Sequence, residues 1–262
     1  MPGQEVDAMS GIVHRLIPPL AEKASARLPN SMALYCLRLE TLRPILEQAE
    51  VPTGLDRWLT RDELRLFSGF ALPKRRLEWL GGRISAKVSL HNLLGSHAPG
   101  LGGNRLEILP DRSGRPQLTA LEMCLPEKIS LSISHSGGLA AALACLDRPC
   151  GLDIQLLSPA LEGIKERFST SAERRLLQSC PRLSNYTKIE QLALLWSAKE
   201  AFRKALPLTP LPGFHEMELT AAPLPEAGAF QLIAGFNRQG QHCKFSVTAW
   251  FHDDLAVAIT FL

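Results

Sequence analysis

The chain has 262 residues, 45% of them hydrophobic, and a formal net charge of +3. That length suits one large domain or two ordinary ones, each with a real core. The charge is too weak to argue for nucleic acid, which calls for a clustered basic face, and the longest apolar run, near Leu139–Leu146, is far too short to span a bilayer.

No charged-then-apolar export pattern opens the chain, and Glu5 and Asp7 speak against a transit peptide. Cys36, Cys124, Cys145, Cys150, Cys180 and Cys243 have no metal-ligand spacing. They read as reduced thiols of a cytoplasmic protein.

Residues 1–30, with Pro18, Pro19 and Pro29, form an arm without a structural pattern. Ala33–Leu39 is a first strand. Thr60 and Glu63 make a capping box that opens a short helix ending at Gly69. Pro73 starts a long helix that Gly95 stops. Its first turns carry Lys74, Arg75 and Arg76, with Arg83 two turns on. Cations at a helix N-terminus oppose the macrodipole. The cluster is either a solvated basic face or a place for phosphates. Gly81-Gly82 inside this helix costs roughly 1 kcal/mol each against Ala, which points to a close approach by another helix or a ligand.

Gly100-Leu101-Gly102-Gly103 is a turn and not a phosphate loop, because no Gly-Lys-Ser/Thr follows. Arg105–Leu109 is a strand. Asp111–Pro116 is a turn carrying Arg112 and Arg115. Ile129–Ser134 alternates strictly, as a half-buried strand does. His135–Gly138 turns it and Leu139–Leu146 returns. Ser134 and His135 face opposite ways on a strand, so they are not a nucleophile–base pair. At a strand end they suit either anion binding or a plain turn.

Gly151-Leu152-Asp153-Ile154-Gln155 is a short strand whose acid sits between apolar neighbours. Thr170 and Glu173 cap a short helix that stops before Pro181, and capping alone accounts for Glu173. Thr187 and Glu190 cap a further helix that Pro207 ends. Trp196, Glu200 and Lys204 share one of its faces. Glu200–Lys204 is either a surface pair or a carboxylate held among cations at a site. Strands follow at His215–Leu219, Phe230–Ile233, Lys244–Trp250 and Leu255–Leu262.

The chain repeats itself. Ser85-Ala86-Lys87 recurs as Ser197-Ala198-Lys199, and Leu139–Leu143 is echoed by Leu255–Ile259. This predicts an α+β fold of two similar lobes related by a pseudo-twofold, each a small antiparallel sheet packed on a long helix. After the arm, the lobes would run over 31–149 and 150–262. Val88 in the first copy becomes Glu200 in the second, so one site at the seam is expected and not two. If Asp153 and Glu200 meet there at ~4–5 Å, they repel by roughly 3–4 kcal/mol at an effective dielectric of about 20. A shared proton or a cation must relieve that, and oxygen-only ligands suit Mg²⁺. Lys74, Arg75, Arg76, Arg83, Arg112, Arg115 and His135 then imply a substrate with a diphosphate and a further phosphate, and phosphoryl or phospho-ester transfer as the reaction.

Gly151–Gln155, Trp196–Lys204, Ile133–Ser136, Gly114-Arg115-Pro116 and the Lys74–Arg83 helix stand in the order in which the 4′-phosphopantetheinyl transferases of the larger type carry such motifs. Over about residues 65–260 the chain resembles that two-lobed type, the surfactin-synthetase-activating and enterobactin-synthetase-component-D-like enzymes. The resemblance implies a transferase that moves the phosphopantetheine arm of coenzyme A to a serine of an apo carrier protein, and the presence of both copies in one chain predicts a monomer. It implies Mg²⁺ and release of adenosine 3′,5′-bisphosphate. Asp153 and Glu200 would hold the metal. Lys204 would contact the diphosphate or assist removal of the serine proton, and Ser134 and His135 would bind the 3′-phosphate end. Arg83 with the basic cluster before it, and Arg115, would bind phosphates, while Gly114 and Pro116 would lie along the adenine. Trp196 and Lys199 would fix the helix. Gln155 stands where many members carry a second metal acid, and as an uncharged ligand it implies looser metal binding, or a module that binds coenzyme A or a carrier with weak catalysis.

Overall fold

Three of the helices start at a threonine. In the computed structural model of the chain, which describes residues 28, 30–47, 54–95, 102–121, 125, 128–221, 225–226, 229–238 and 241–262, Thr60, Thr170 and Thr187 each accept the backbone N–H of a glutamate three residues on, which reaches back to the threonine N–H. The reciprocal pair satisfies two donors that a helix start leaves orphaned. The arm expected over 1–30 lies outside the described residues except for Leu28 and Asn30, as do Gly100 and Leu101 of the glycine-rich turn.

Contacts divide the chain into two units, Met1–Asp147 and Arg148–Leu262. In the first, β1 (Met32–Arg38) is followed by the short helix α1 (Arg43–Glu47), then α2 (Arg61–Ser68) and the long helix α3 (Pro73–Leu94). A hairpin of β2 (Leu106–Pro110) and β3 (Pro116–Ala120) comes next, and then β4 (Ile129–Ser136) and β5 (Leu139–Leu146). β5 lies between β1 and β4, antiparallel to both. Its Ala140, Ala141, Ala142 and Ala144 are fully buried, and such small side chains let α3 settle closely on the sheet. A Cβ on Gly81 would come within 2.3 Å of Leu39 Cδ2 and 3.1 Å of Ala140 Cβ, and one on Gly82 within 2.9 Å of Ile133 Cγ2. The close approach expected at these glycines is made at Gly81 by Leu39, on the short 3-10 helix Leu39–Leu42 that follows β1, and by Ala140 of β5, and at Gly82 by Ile133 of β4.

The second unit opens with β6 (Cys150–Leu156), the short helix α4 (Ala160–Ile164), α5 (Ser171–Ser179) and the long helix α6 (Lys188–Ala205). Then come β7 (Met217–Ala221), β8 (Pro225–Glu226), β9 (Ala229–Arg238), β10 (Gln241–His252) and β11 (Leu255–Phe261). The sheet runs β6-β11-β10-β9-β7, with β8 on β9. α6 packs on β6, β11 and β10. Each unit is thus a long helix on an antiparallel sheet in which the last strand pairs back with the first.

Some boundaries differ from the expected ones. β4 continues through His135 to Ser136, and only Gly137-Gly138 turns, both at positive φ. Glycine pairs tolerate that conformation without steric penalty. The turn expected over Asp111–Pro116 ends one residue earlier, and Pro116–Ala120, unassigned from sequence, is a strand: Asp111 Oδ1 accepts from Ser113 and Arg115 N–H and Gly114 takes φ +83°, which folds the chain back onto β2. β9 and β10 are also longer than the runs their apolar residues predict.

Candidate functional site

Gly151 decides how the C-terminal site is assembled. A Cβ there would lie 1.8 Å from the Ala201 carbonyl oxygen and 2.9 Å from the Ala205 nitrogen. The backbone of α6 therefore rests directly on β6, which only glycine permits. At that distance Lys204 Nζ reaches the Leu152 carbonyl at 3.0 Å and Asp153 Oδ1 at 2.8 Å. Asp153 is buried, and burial of a carboxylate calls for such a charged partner. Glu200 lies one turn earlier on the same face of α6 as Lys204. The expected Glu200–Lys204 surface pair does not form: Lys204 goes to Asp153, and Glu200 Oε1 takes Arg203 Nη1 at 3.1 Å.

Lys199 points the other way, into the core. Its Nζ donates to the Phe168 carbonyl at 2.8 Å, the Phe214 carbonyl at 3.1 Å and Glu173 at 2.7–2.9 Å, with both side chains nearly inaccessible. Burial pulls the Lys199 ammonium below its ordinary value, and Glu173 opposes that. Glu173 also accepts the Leu219 N–H at 2.8 Å, so capping is only part of its role. Trp196 stacks edge-on against Phe168 with centroids 5.0 Å apart, which anchors the same helix. Gln155 is half-buried, and its Nε2 donates to the Leu156 carbonyl at 2.9 Å.

Among the described residues no three His, Cys, Asp or Glu side chains form a metal-binding group. Asp153 and Gln155 on β6 and Glu200 on α6, two elements that pack together, offer two carboxylates and an amide. That donor set fits Mg²⁺, which takes one or two carboxylates and completes its shell with water and substrate phosphate. A fully protein-made cage would need more.

The remaining predicted residues belong to the N-terminal unit. Arg75 lies over the Phe70 ring at 5.6 Å, Arg76 over Phe67 at 4.7 Å and Arg83 over Trp79 at 4.7 Å. Trp79 itself contacts Phe67 and Phe70, with centroids 6.0 and 5.8 Å apart. Three guanidiniums and three rings form one cluster along α2 and α3. Stacking orients a guanidinium while leaving its N–H edge to face an anion. Arg83 is buried, and its Nε meets no hydrogen-bond acceptor. Burial lowers its pKa to about 10, against the pull of Glu63. Glu78 draws together two other predicted residues, Lys74 at 3.8 Å and the half-exposed His135 at 3.7 Å. Neither Trp79 nor Glu78 was singled out from sequence, although the i,i+4 spacing of Trp79 to Arg83 and of Lys74 to Glu78 carries the signal. Ser134 is buried on β4. Arg112, Gly114 and Arg115 lie on the β2–β3 turn and Pro116 opens β3, with Arg112 exposed.

Comparison with known proteins bears on the C-terminal unit above all. A sequence family described as the 4′-phosphopantetheinyl transferase superfamily matches residues 149–260. A holo-acyl-carrier-protein synthase of Exiguobacterium sp. is 40% identical over 97 residues, 37% of this chain and 76% of that protein. The protein of the same name from Exiguobacterium sibiricum is 35% identical over 121 residues, 45% of this chain and 88% of that one. A crystal structure of a Bacillus anthracis holo-acyl-carrier-protein synthase superposes with a TM-score of 0.38 at 23% identity, over 44% of this chain and 92% of that one.

Proposed function

The chain belongs to the 4′-phosphopantetheinyl transferase superfamily, and on that premise we propose that it transfers the phosphopantetheine arm of coenzyme A to a serine of an apo carrier protein with the help of Mg²⁺. The observation that carries this reading is the geometry of α6 on β6. A lysine is seated on the buried Asp153, and Glu200 lies one turn away on the same helix face.

In the reaction the serine Oγ bonds to the phosphorus that carries pantetheine, the diphosphate P–O bond breaks, and adenosine 3′,5′-bisphosphate leaves. Little covalent chemistry is asked of the protein, and catalysis rests on positioning and electrostatics. Asp153 and Glu200 are assigned the metal, with Gln155, or a water in its stead, at the position where many members carry a further acid. Bound Mg²⁺ would neutralise the diphosphate oxygens. Lys204 contacts the diphosphate or takes part in removing the serine proton. The phosphates of coenzyme A are assigned to Lys74, Arg75, Arg76, Arg83, Arg112 and Arg115, and the 3′-phosphate end to Ser134 and His135. Gly114 and Pro116 are assigned the adenine. Arg83 supports these roles best, because a buried guanidinium whose Nε meets no acceptor is suited to a ligand oxygen.

We also assign a cytoplasmic, monomeric protein. Cys36, Cys145, Cys150 and Cys180 are buried free thiols, which suits a reducing compartment, and one chain carries both copies of the helix-on-sheet unit. Among the described residues no helix is long and apolar enough to cross a membrane.

The test is purified chain, Mg²⁺, labelled coenzyme A and a panel of apo carriers. Labelling of a carrier serine is expected. Glu200→Ala should lower its rate at least about a hundredfold with an unchanged melting temperature. Labelling by that variant at the wild-type rate overturns the assignment.

A further inference from the structure

The last turn of α6 sets one cation on each of the two acids: Lys204 on Asp153 and Arg203 on Glu200. The resemblance drawn from the sequence assigns a role to Lys204 and none to Arg203. Arg203 is no loose surface cation. Its Nε donates to the Pro212 carbonyl at 2.8 Å, and its guanidinium lies 5.4 Å from the Phe214 ring centroid. That ring packs against Trp196 at 5.0 Å and the fully buried Phe168 at 6.3 Å. The guanidinium is thus fixed from two sides before it meets Glu200. An ordinary i,i+3 pair on an exposed helix contributes little because water screens both partners. Here the Glu200 side chain is 16% exposed and that of Arg203 28%.

We infer that Arg203 is a positioning residue for Glu200 and an internal competitor of the divalent cation. By holding Oε1 it fixes the carboxylate and leaves Oε2 to the metal, and its charge opposes the metal's approach. The inference rests on the reading of Glu200 as a metal ligand. It makes the cation weakly held unless substrate phosphate arrives with it.

Mn²⁺ titrated into the full chain with coenzyme A and no carrier protein, with free Mn²⁺ counted by electron paramagnetic resonance, tests this without turnover. Arg203→Gln should tighten Mn²⁺ binding about tenfold to a hundredfold, the effect of removing one unit charge ~6 Å from a divalent ion at an effective dielectric between about 80 and 40. Arg203→Lys keeps the charge but not the planar fork that grips Pro212 and Glu200 together. It should bind Mn²⁺ within about two-fold of wild type while kcat for carrier labelling falls and KM for coenzyme A stays. Arg203→Gln binding Mn²⁺ no more tightly than wild type overturns the inference, and so does Arg203→Lys with wild-type kcat, which carries the test if the glutamine variant folds poorly. Glu200→Gln is the control for the underlying reading: wild-type Mn²⁺ affinity in that variant would overturn Glu200 as a ligand, whatever Arg203 does.

Discussion

Lys87 and Lys199 occupy the same place in the two units. Lys87 Nζ ion-pairs with Glu63 and donates to the Trp58 and Gly103 carbonyls. Lys199 does the same with Glu173, Phe168 and Phe214. Glu63 accepts the Ile108 N–H of β2 and Glu173 the Leu219 N–H of β7, and each also closes the capping box of its own short helix. One buried pair therefore ties the long helix, the short helix and a strand together in both units. Just beside it the units part. Val88 stands where Glu200 does, and Asn92 where Lys204 does. Strand pairing puts Tyr35 opposite Ala142 and Asp153 opposite Ala258, so Tyr35 is the counterpart of Asp153. By the same register Ala33 is the counterpart of Gly151. The difference teaches that the lysine–glutamate pair is scaffold, since it persists where no acid follows it; on the proposed function the chemistry falls to its neighbours.

Removing the shared part should give the largest effects. Lys87→Met and Lys199→Met each leave a buried carboxylate without its cation, which costs about 3–5 kcal/mol. Hydrogen exchange read by mass spectrometry should show the loss of protection confined to the unit that carries the change. A Lys87→Met protein with full protection in its N-terminal unit would break the comparison. Next in size, Gly151→Ala should destabilise the C-terminal unit by about 1–3 kcal/mol, as overpacking does, and should depress carrier labelling by lifting Lys204 from Asp153. Ala33→Gly should cost no more than about 1 kcal/mol and leave labelling intact. Equal urea midpoints for the two variants would show that the helices stand at the same height.

The smallest effect sharpens the comparison by pH. Burial raises both Tyr35 and Cys36 to about 12, against the ordinary 10.0 and 9.0. Between pH 9 and 12 the unfolded chain has released protons that the folded one keeps, so these two groups make stability fall as pH rises. Lys87 works in the opposite direction, because burial lowers its folded value. Tyr35→Phe should therefore flatten the decline of the urea midpoint between pH 9 and 11. An unchanged slope would mean that the tyrosine is solvated.

Local signals were plain in the sequence. The three capping boxes, the Pro73 start and the alternation of Ile129–Ser134 each act within a few residues, and the elements stand where they point. The Ser-Ala-Lys repeat exposed the duplication, and the α+β lobes followed from it. What stayed hidden depends on distance along the chain. Lys199 meets Glu173 26 residues away and Lys204 meets Asp153 51 residues away, so the spacing suggested Glu200 as the partner of Lys204. The hold of Arg203 on Pro212 crosses a helix end, where periodicity says nothing. Pro116–Ala120 hid as a strand because its leading proline reads as part of the turn.

The contact at Gly151 has a use at the bench. A library randomised across Gly151–Gln155 and selected for carrier labelling carries its own internal standard, because survivors must read glycine at the first position whatever they read at the last. The residue that returns at position 155 could then be judged against a built-in measure of how stringent the selection was.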